Sequence, residues 1–150
     1  MIIYFSFSLK CNVLLCWQQV VGPYANEAEE IYGDYSPLVS RQFVTTVAEG
    51  LVKLAVKVDS ASGCDDVKCG SYSADVVTKA VDGADLVVVA LGTGRKLESE
   101  GNDRSNIDFP GRQFELLLDA VRVGKLRLFV SLTRCLSISI YLSIYSASSR

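Results

Sequence analysis

The sequence predicts an α/β fold, a three-layer sandwich with a mostly parallel sheet that is incomplete at both ends. Three observations carry this expectation. Leu86-Val87-Val88-Val89-Ala90-Leu91 is a continuous apolar, largely β-branched run, the pattern of a strand covered on both faces and therefore of a parallel sheet with helices on either side. Apolar stripes at helical spacing precede and follow it. From 20 to about 130, strand-like and helix-like stretches alternate, and right-handed crossovers then give a doubly wound layer structure. The 150 residues suffice for one domain with a real core, since about two thirds of the unfolded surface is buried at this size. A second catalytic domain does not fit within them.

Val20-Val21-Gly22-Pro23 reads as a buried strand running into a turn, because proline cannot continue a central strand. The loop after it is acidic and aromatic, with Tyr24, Glu27, Glu29, Glu30, Tyr32, Asp34 and Tyr35. The stretch 45–54 predicts a short helix that packs on the sheet through Val47, Leu51 and Leu54. Val56, Val58 and Ser60 alternate with Lys57 and Asp59, the period of a half-exposed strand. Ser71 or Ser73 then caps a second helix, whose stripe is Ala74, Val77, Ala80, Val81 and Ala84. After the core strand and a polar loop, Phe114, Leu117, Leu118 and Val121 predict a third helix, ended by Gly124. A strand over 126–132 follows.

Composition removes whole classes of chemistry. The chain holds no histidine, which excludes a Ser-His-Asp triad, a Cys-His pair and a histidine zinc site. Acid/base work falls to carboxylates, Lys, Tyr or Cys. Lys+Arg 15 against Asp+Glu 17 gives a net charge of -2, with no basic face for nucleic acid and no polybasic membrane patch. The five cysteines form no metal pattern, and no metal or other cofactor is expected. Cys64 and Cys69 enclose Asp65-Asp66-Val67-Lys68. They either close a small disulfide ring in an oxidising compartment or stand as two free thiols in a reducing one.

The leading candidate site is the polar loop after the core strand, at the sheet edge where open α/β folds hold ligands. It contains Leu97-Glu98-Ser99-Glu100-Gly101-Asn102-Asp103-Arg104 and ends in Phe109-Pro110-Gly111-Arg112-Gln113. Two carboxylates so placed can divide labour when burial or charge separates their pKa values. Glu98 and Glu100 are the leading functional residues. The competing interpretation is a solvated turn whose acids only keep the protein soluble.

Taken together, the motifs over 20–129 resemble the carboxyl-terminal α/β sandwich domain of glycoside hydrolase family 3, in its β-xylosidase-like branch. They are Val21-Gly22-Pro23 with Asn26, Gly33-Asp34-Tyr35, Thr45 with Glu49-Gly50-Leu51, and Gly63-Cys64 with Cys69. Ala84-Asp85 before Val87-Val88-Val89 continues the series, which culminates in Glu98-x-Glu100-Gly101-x-Asp103-Arg104 and Pro110-Gly111-x-Gln113. The resemblance implies a retaining, exo-acting glycosidase acting on oligosaccharides or glycosides. In that family a separate amino-terminal barrel carries the aspartate nucleophile, and the sandwich lends a loop with the acid/base. It implies Glu100 as acid/base, Glu98 as second candidate, and Asp103 or Arg104 as loop support. It also implies a secreted or lysosomal full-length parent. The usual Gly-Leu-Asp after the core strand reads Gly92-Thr93-Gly94 here, and the barrel is missing, so the chain alone is expected to be inactive.

The flanks stand apart. Residues 1–19 are apolar, but Lys10 interrupts them and no small-residue cleavage site precedes Trp17, a poor fit to a signal peptide. Ile140-Tyr141-Leu142-Ser143-Ile144-Tyr145 follows the order in which an ATCT repeat is translated. Val130-Ser131 fits a splice-donor sequence and Gln18 or Gln19 an acceptor ending. The expectation is one exon over 20–129 extended into both introns, leaving 1–19 as a non-homologous leader and 130–150 as a low-complexity tail. The competing account of the tail is an amphipathic strand from the alternation Ser137-Ile138-Ser139-Ile140.

Two other functions fit less well. Gly92-Thr93-Gly94-Arg95-Lys96 lacks the third glycine of a dinucleotide fingerprint and the ending of a P-loop, and the acids after it repel phosphate. A non-catalytic carbohydrate-binding or interaction domain would use Tyr24, Tyr32, Tyr35 or Tyr72 as sugar platforms.

Overall fold

The computed structural model describes residues 17–32, 36–37, 40–123, 127–132 and 139–143, the last two segments by their backbone alone. The elements are β1 (Trp17–Val21), α1 (Val47–Val52), β2 (Lys57–Ala61), α2 (Ala74–Val81) and β3 (Leu86–Gly92), followed by α3 (Gln113–Val123), β4 (Arg127–Leu132) and β5 (Ser139–Ser143). A single 3-10 turn at Arg41–Phe43 precedes α1. The sheet runs in the order β2-β1-β3-β4-β5. β1 is parallel to both β2 and β3, β3 is parallel to β4, and β5 closes the edge antiparallel to β4.

Every residue of β3 is buried, and its alternation divides the core into two. Leu86, Val88 and Ala90 join Val20, Tyr24, Ala25 and Ala48, with Val47 and Leu51 of α1 packed against them. Val87, Val89 and Leu91 join Val21, Val77 and Val81, with Leu116 and Ala120 of α3. Helix α1 therefore covers one face of the sheet, and α2 with α3 the other. This is the three-layer, mostly parallel α/β sandwich that the sequence predicts.

The elements differ from expectation in instructive places. β1 begins at Trp17, and Gln18 and Gln19 are buried strand residues paired with both neighbours. Their polarity hides the strand period. Helix α1 stops at Val52, so Leu54 is exposed rather than packed. Its start is a reciprocal capping box, in which the Thr46 hydroxyl accepts from the Glu49 amide and the Glu49 carboxylate accepts from the Thr46 amide. Ser73 occupies the cap of α2 without a side-chain capping bond. Val56 lies outside β2 and is exposed.

The face predicted for α3 is displaced. Gln113, Leu116 and Ala120 are the buried residues, whereas Phe114 and Leu118 are exposed. The physical reason is Gln113, a polar residue at the most buried position of the helix start, which hydropathy alone assigns to the surface. Of the flanks, Met1 to Cys16 lies outside the described residues. Gly124, expected to end α3, also lies outside them, as do Gly33, Asp34 and Tyr35.

Cys64 and Cys69 form a disulfide, which settles the choice between ring and free thiols. Closing so short a loop stabilises the fold by about 2 kcal/mol in the chain-entropy account. Inside the ring the Asp66 carboxylate accepts from the Lys68 and Cys69 amides at 2.7 and 3.2 Å. The Ser71 amide, first among several backbone donors, holds the Asp65 carboxyl below its usual range.

Candidate functional site

Strand order reverses between β1 and β3, since the chain moves outward on one side to β2 and on the other to β4. In open α/β sheets such a switch point, at the carboxyl ends of the two strands, is where ligands are held. Two loops rise there: residues 22–32 from β1 and residues 93–112 from β3. The second carries Glu98, Glu100, Asp103 and Arg104.

The first loop is a scaffold for the second. The Glu27 carboxylate accepts from the amides of Ala28, Glu29 and Glu30 at 2.9, 2.6 and 3.1 Å, which winds the chain so that Glu30 turns inward. Glu30 is 4% exposed. Its Oε2 accepts from the Lys96 amide at 2.7 Å, and the Lys96 ammonium lies 3.8 Å from Oε1. A buried carboxylate needs such partners, and here they anchor the upstream end of the acidic loop. In the sequence Glu30 is one acid among several in its loop. The signal that marks it is the three-residue step from Glu27, whose side chain folds the turn.

Tyr24 lies beside it and is fully buried. Of the two uses open to this ring, core packing or a platform for sugars, Tyr24 has the first. Burial, then the Glu30 charge, raises its pKa well above the usual tyrosine range. Its hydroxyl has no hydrogen-bond partner among the described residues. A Cβ at Gly94 would lie 2.6 Å from that hydroxyl and 2.6 Å from the Glu30 carbonyl oxygen, so the departure Gly92-Thr93-Gly94 has a packing reason. A Tyr24→Phe chain is expected to be as stable as the native one or more stable by about 1 kcal/mol, because it removes an unmatched buried hydroxyl. The urea midpoint measures this.

Tyr72 is also committed to structure. Its hydroxyl donates to the Asp119 carboxylate at 3.0 Å, and the Arg112 guanidinium lies 5.4 Å from its ring centre. Burial and, next, the Asp119 bond raise its pKa. Tyr32 is half-buried, and Tyr35 lies outside the described residues.

The acidic loop itself is a tight reversal. The amides of Leu97 and Glu98 donate to the Gly94 carbonyl at 2.9 and 3.0 Å. Ser99 and Asn102 then exchange backbone hydrogen bonds at 3.1 and 2.8 Å, which places Glu100 and Gly101 at the tip. Gly101 takes φ +75 with nothing near its missing side chain. Glu98 is half-buried at the stem and Glu100 is exposed at the tip. Arg104 turns downstream, where it donates to Asn106 Oδ1 at 3.0 Å and to the Asp108 carbonyl, so it braces the 106–108 turn. Asp103 is exposed. The structure thus brings Glu98 and Glu100 onto one short reversal.

Such a reversal can present one proton-transfer group beyond the sheet edge. Glu98 and Glu100 project from the same few residues and do not face one another across a cleft. A two-carboxylate reaction therefore needs its second carboxylate from another element. Among the described residues, no group of three or more Cys, Asp or Glu is placed to hold a metal ion. None of their helices is long and apolar enough to cross a membrane.

Residues 18–138 match the glycosyl hydrolase family 3 C-terminal domain, a stretch that passes both edges of 20–129. The beta-xylosidase/alpha-L-arabinofuranosidase 2 of Medicago sativa subsp. varia is 34% identical over 106 residues, covering 71% of this chain and 13% of that protein. The probable beta-D-xylosidase 6 of Arabidopsis thaliana is 32% identical over 115 residues, 76% of this chain and 14% of that protein. Among solved structures, a GH3 exo-beta-xylosidase (XlnD) in complex with a xylobiose aziridine activity-based probe superimposes with a TM-score of 0.68 at 28% identity. It covers 77% of this chain and 15% of its own. A beta-glucosidase from Listeria innocua in complex with glucose shares the fold, with a TM-score of 0.67 at 22% identity over 84% of this chain and 17% of that one. The chain spans only 13% and 14% of the length of these two curated relatives. With its fold, its order of motifs and the match over 18–138 in agreement, this chain belongs to the glycosyl hydrolase family 3 C-terminal domain family.

Proposed function

We propose that the chain is the acid/base-bearing portion of a retaining, exo-acting glycosidase of β-xylosidase type. Glu100 is the acid/base, Glu98 the second candidate, and Asp103 and Arg104 support the loop. A retaining mechanism uses two carboxyl groups about 5 Å apart, one to form the glycosyl-enzyme and one first to protonate the leaving oxygen and then to activate water. The observation that carries this reading is a carboxylate at the tip of a reversal that rises from the switch-point edge of the sheet, in a chain of this family. The nucleophile would come from an amino-terminal barrel domain, and the substrate, an oligosaccharide or aryl glycoside, would lie between the two. A full-length parent of this kind would act outside the cytosol or in the lysosome, in keeping with the Cys64–Cys69 disulfide.

The purified 150-residue chain is expected to release no nitrophenol from an aryl β-xyloside. Release that is abolished by Glu100→Gln would contradict the need for a second domain. For the flanks, the repeat order over 140–145 supports an intron-derived origin of 130–150, although the family match runs over 18–138.

A further inference from the structure

The 93–112 loop is long, and both of its ends meet at one side chain. Gln113 is fully buried at the start of α3. Its Oε1 accepts from the Gly92 amide at 2.9 Å, and its Nε2 donates to the Gly92 carbonyl at 3.0 Å. The same Nε2 donates to the Val67 carbonyl at 2.9 Å, inside the ring closed by Cys64 and Cys69. Gly92 is the residue before the loop, and Gln113 the residue after it. One amide therefore satisfies both backbone groups at the loop's entrance, fixes its exit and ties both to the disulfide ring. The adjacent contacts strengthen the knot. The Arg112 amide donates to the Cys69 carbonyl at 2.9 Å, and a Cβ at Gly111 would lie 2.3 Å from both the Lys68 and Cys69 carbonyl oxygens.

We infer that Gln113 is a positioning residue for the acidic loop, a clamp that sets where Glu98 and Glu100 stand by locking the loop's base to the Cys64–Cys69 ring. Its catalytic meaning rests on the function proposed above. The clamp itself is a statement about loop order and is tested without any hydrolysis, so the two can fail separately.

Only a group with one acceptor and two donors on a flat, buried amide meets the three backbone partners. Methionine fills similar space and bonds none of them. Glutamate keeps the acceptor for Gly92 N–H but, when ionised, points negative oxygens at the Gly92 and Val67 carbonyls. When protonated, it regains one donor. Burial among carbonyls raises the pKa of such a carboxyl above its free value of about 4.3. The clamp in Gln113→Glu is therefore present below the raised pKa and lost as pH rises through it. The charged residues nearest in the chain to Gln113 and its partners are Arg112 just before α3, Glu115 on α3, Asp66 and Lys68 in the ring, and Arg95 and Lys96 beyond β3, all exposed. They are common to every variant, and the native chain at each pH corrects for them.

The experiment is amide hydrogen exchange on the whole chain between pH 4 and 8, corrected for intrinsic rates, read at residues 92–98. In Gln113→Met these amides are expected to exchange about tenfold or more faster than in the native chain at every pH, from the loss of buried hydrogen bonds. In Gln113→Glu they are expected to be as fast near neutrality and to recover protection on acidification. Recovery distinguishes the clamp from a general loss of packing, which acidification would not repair. A Gln113→Met chain as protected as the native one would overturn the inference. So would a Gln113→Glu chain whose 92–98 amides stay unprotected down to pH 4.

Discussion

A Gly22→Ala chain is expected to lose about 3–5 kcal/mol of stability, enough to unfold a domain of ordinary marginal stability. Gly22 adopts φ +113, and a Cβ there would lie 2.2 Å from the Ala90 carbonyl oxygen and 3.0 Å from its carbon. The atom it meets is backbone in the central strand β3, so no side-chain rotation relieves the contact. The same carbonyl accepts the Tyr24 amide at 3.3 Å, and the Gly22 amide donates to Ala61 of β2 at 3.0 Å. Displacing Gly22 therefore disturbs β1 and both of its neighbours, β2 and β3. Urea unfolding followed by circular dichroism measures the loss. A midpoint within error of the native chain would show that the turn after β1 can shift away from β3 without cost.

The second large effect is on chemistry. In the longer enzyme that the family membership leads us to propose, Glu100→Gln is expected to lower kcat by about 10²–10⁴-fold on an unactivated xyloside, the usual contribution of a general acid. The loss should shrink for the first step when the leaving group is a good one. A nitrophenolate departs with little protonation, whereas a sugar alkoxide cannot. Glu98→Gln should cost far less, since Glu98 stands at the stem of the reversal. Equal losses for the two variants would move the assignment from Glu100.

How much of this was legible in the sequence varies with the kind of residue. The six-residue run from Leu86 announced β3 because complete burial on two faces leaves an unbroken apolar signature. The stripe of α2 was legible for a similar reason, and Val77 and Val81 are its buried residues. Elements held by polar side chains were not. Gln18 and Gln19 concealed the start of β1, and Gln113 concealed the buried face of α3, because a hydropathy pattern assigns a glutamine to solvent whatever it bonds. The loop was located correctly at the end of β3, yet its supports were invisible. Glu30 and Gln113 act from outside the loop, one from the loop after β1 and one across 21 positions of sequence from Gly92. The sequence leaves Tyr24 open between core packing and a sugar platform, because an aromatic in an acidic loop suits either, and it packs in the core.

In the proposed function Glu100 transfers the proton while the nucleophile comes from a domain encoded with this one. The measurement that tests it most directly begins with the longest open reading frame of the spliced transcript that contains residues 18–123. It compares the dependence of kcat/KM, which reports the first step, on leaving-group pKa for the expressed protein and for its Glu100→Gln variant. A shallow dependence is expected for the first and a steep one for the second, with the largest gap on natural xylosides. Parallel dependences, or a transcript that encodes no barrel and ends with Met1 and Arg150 in one message, would contradict it.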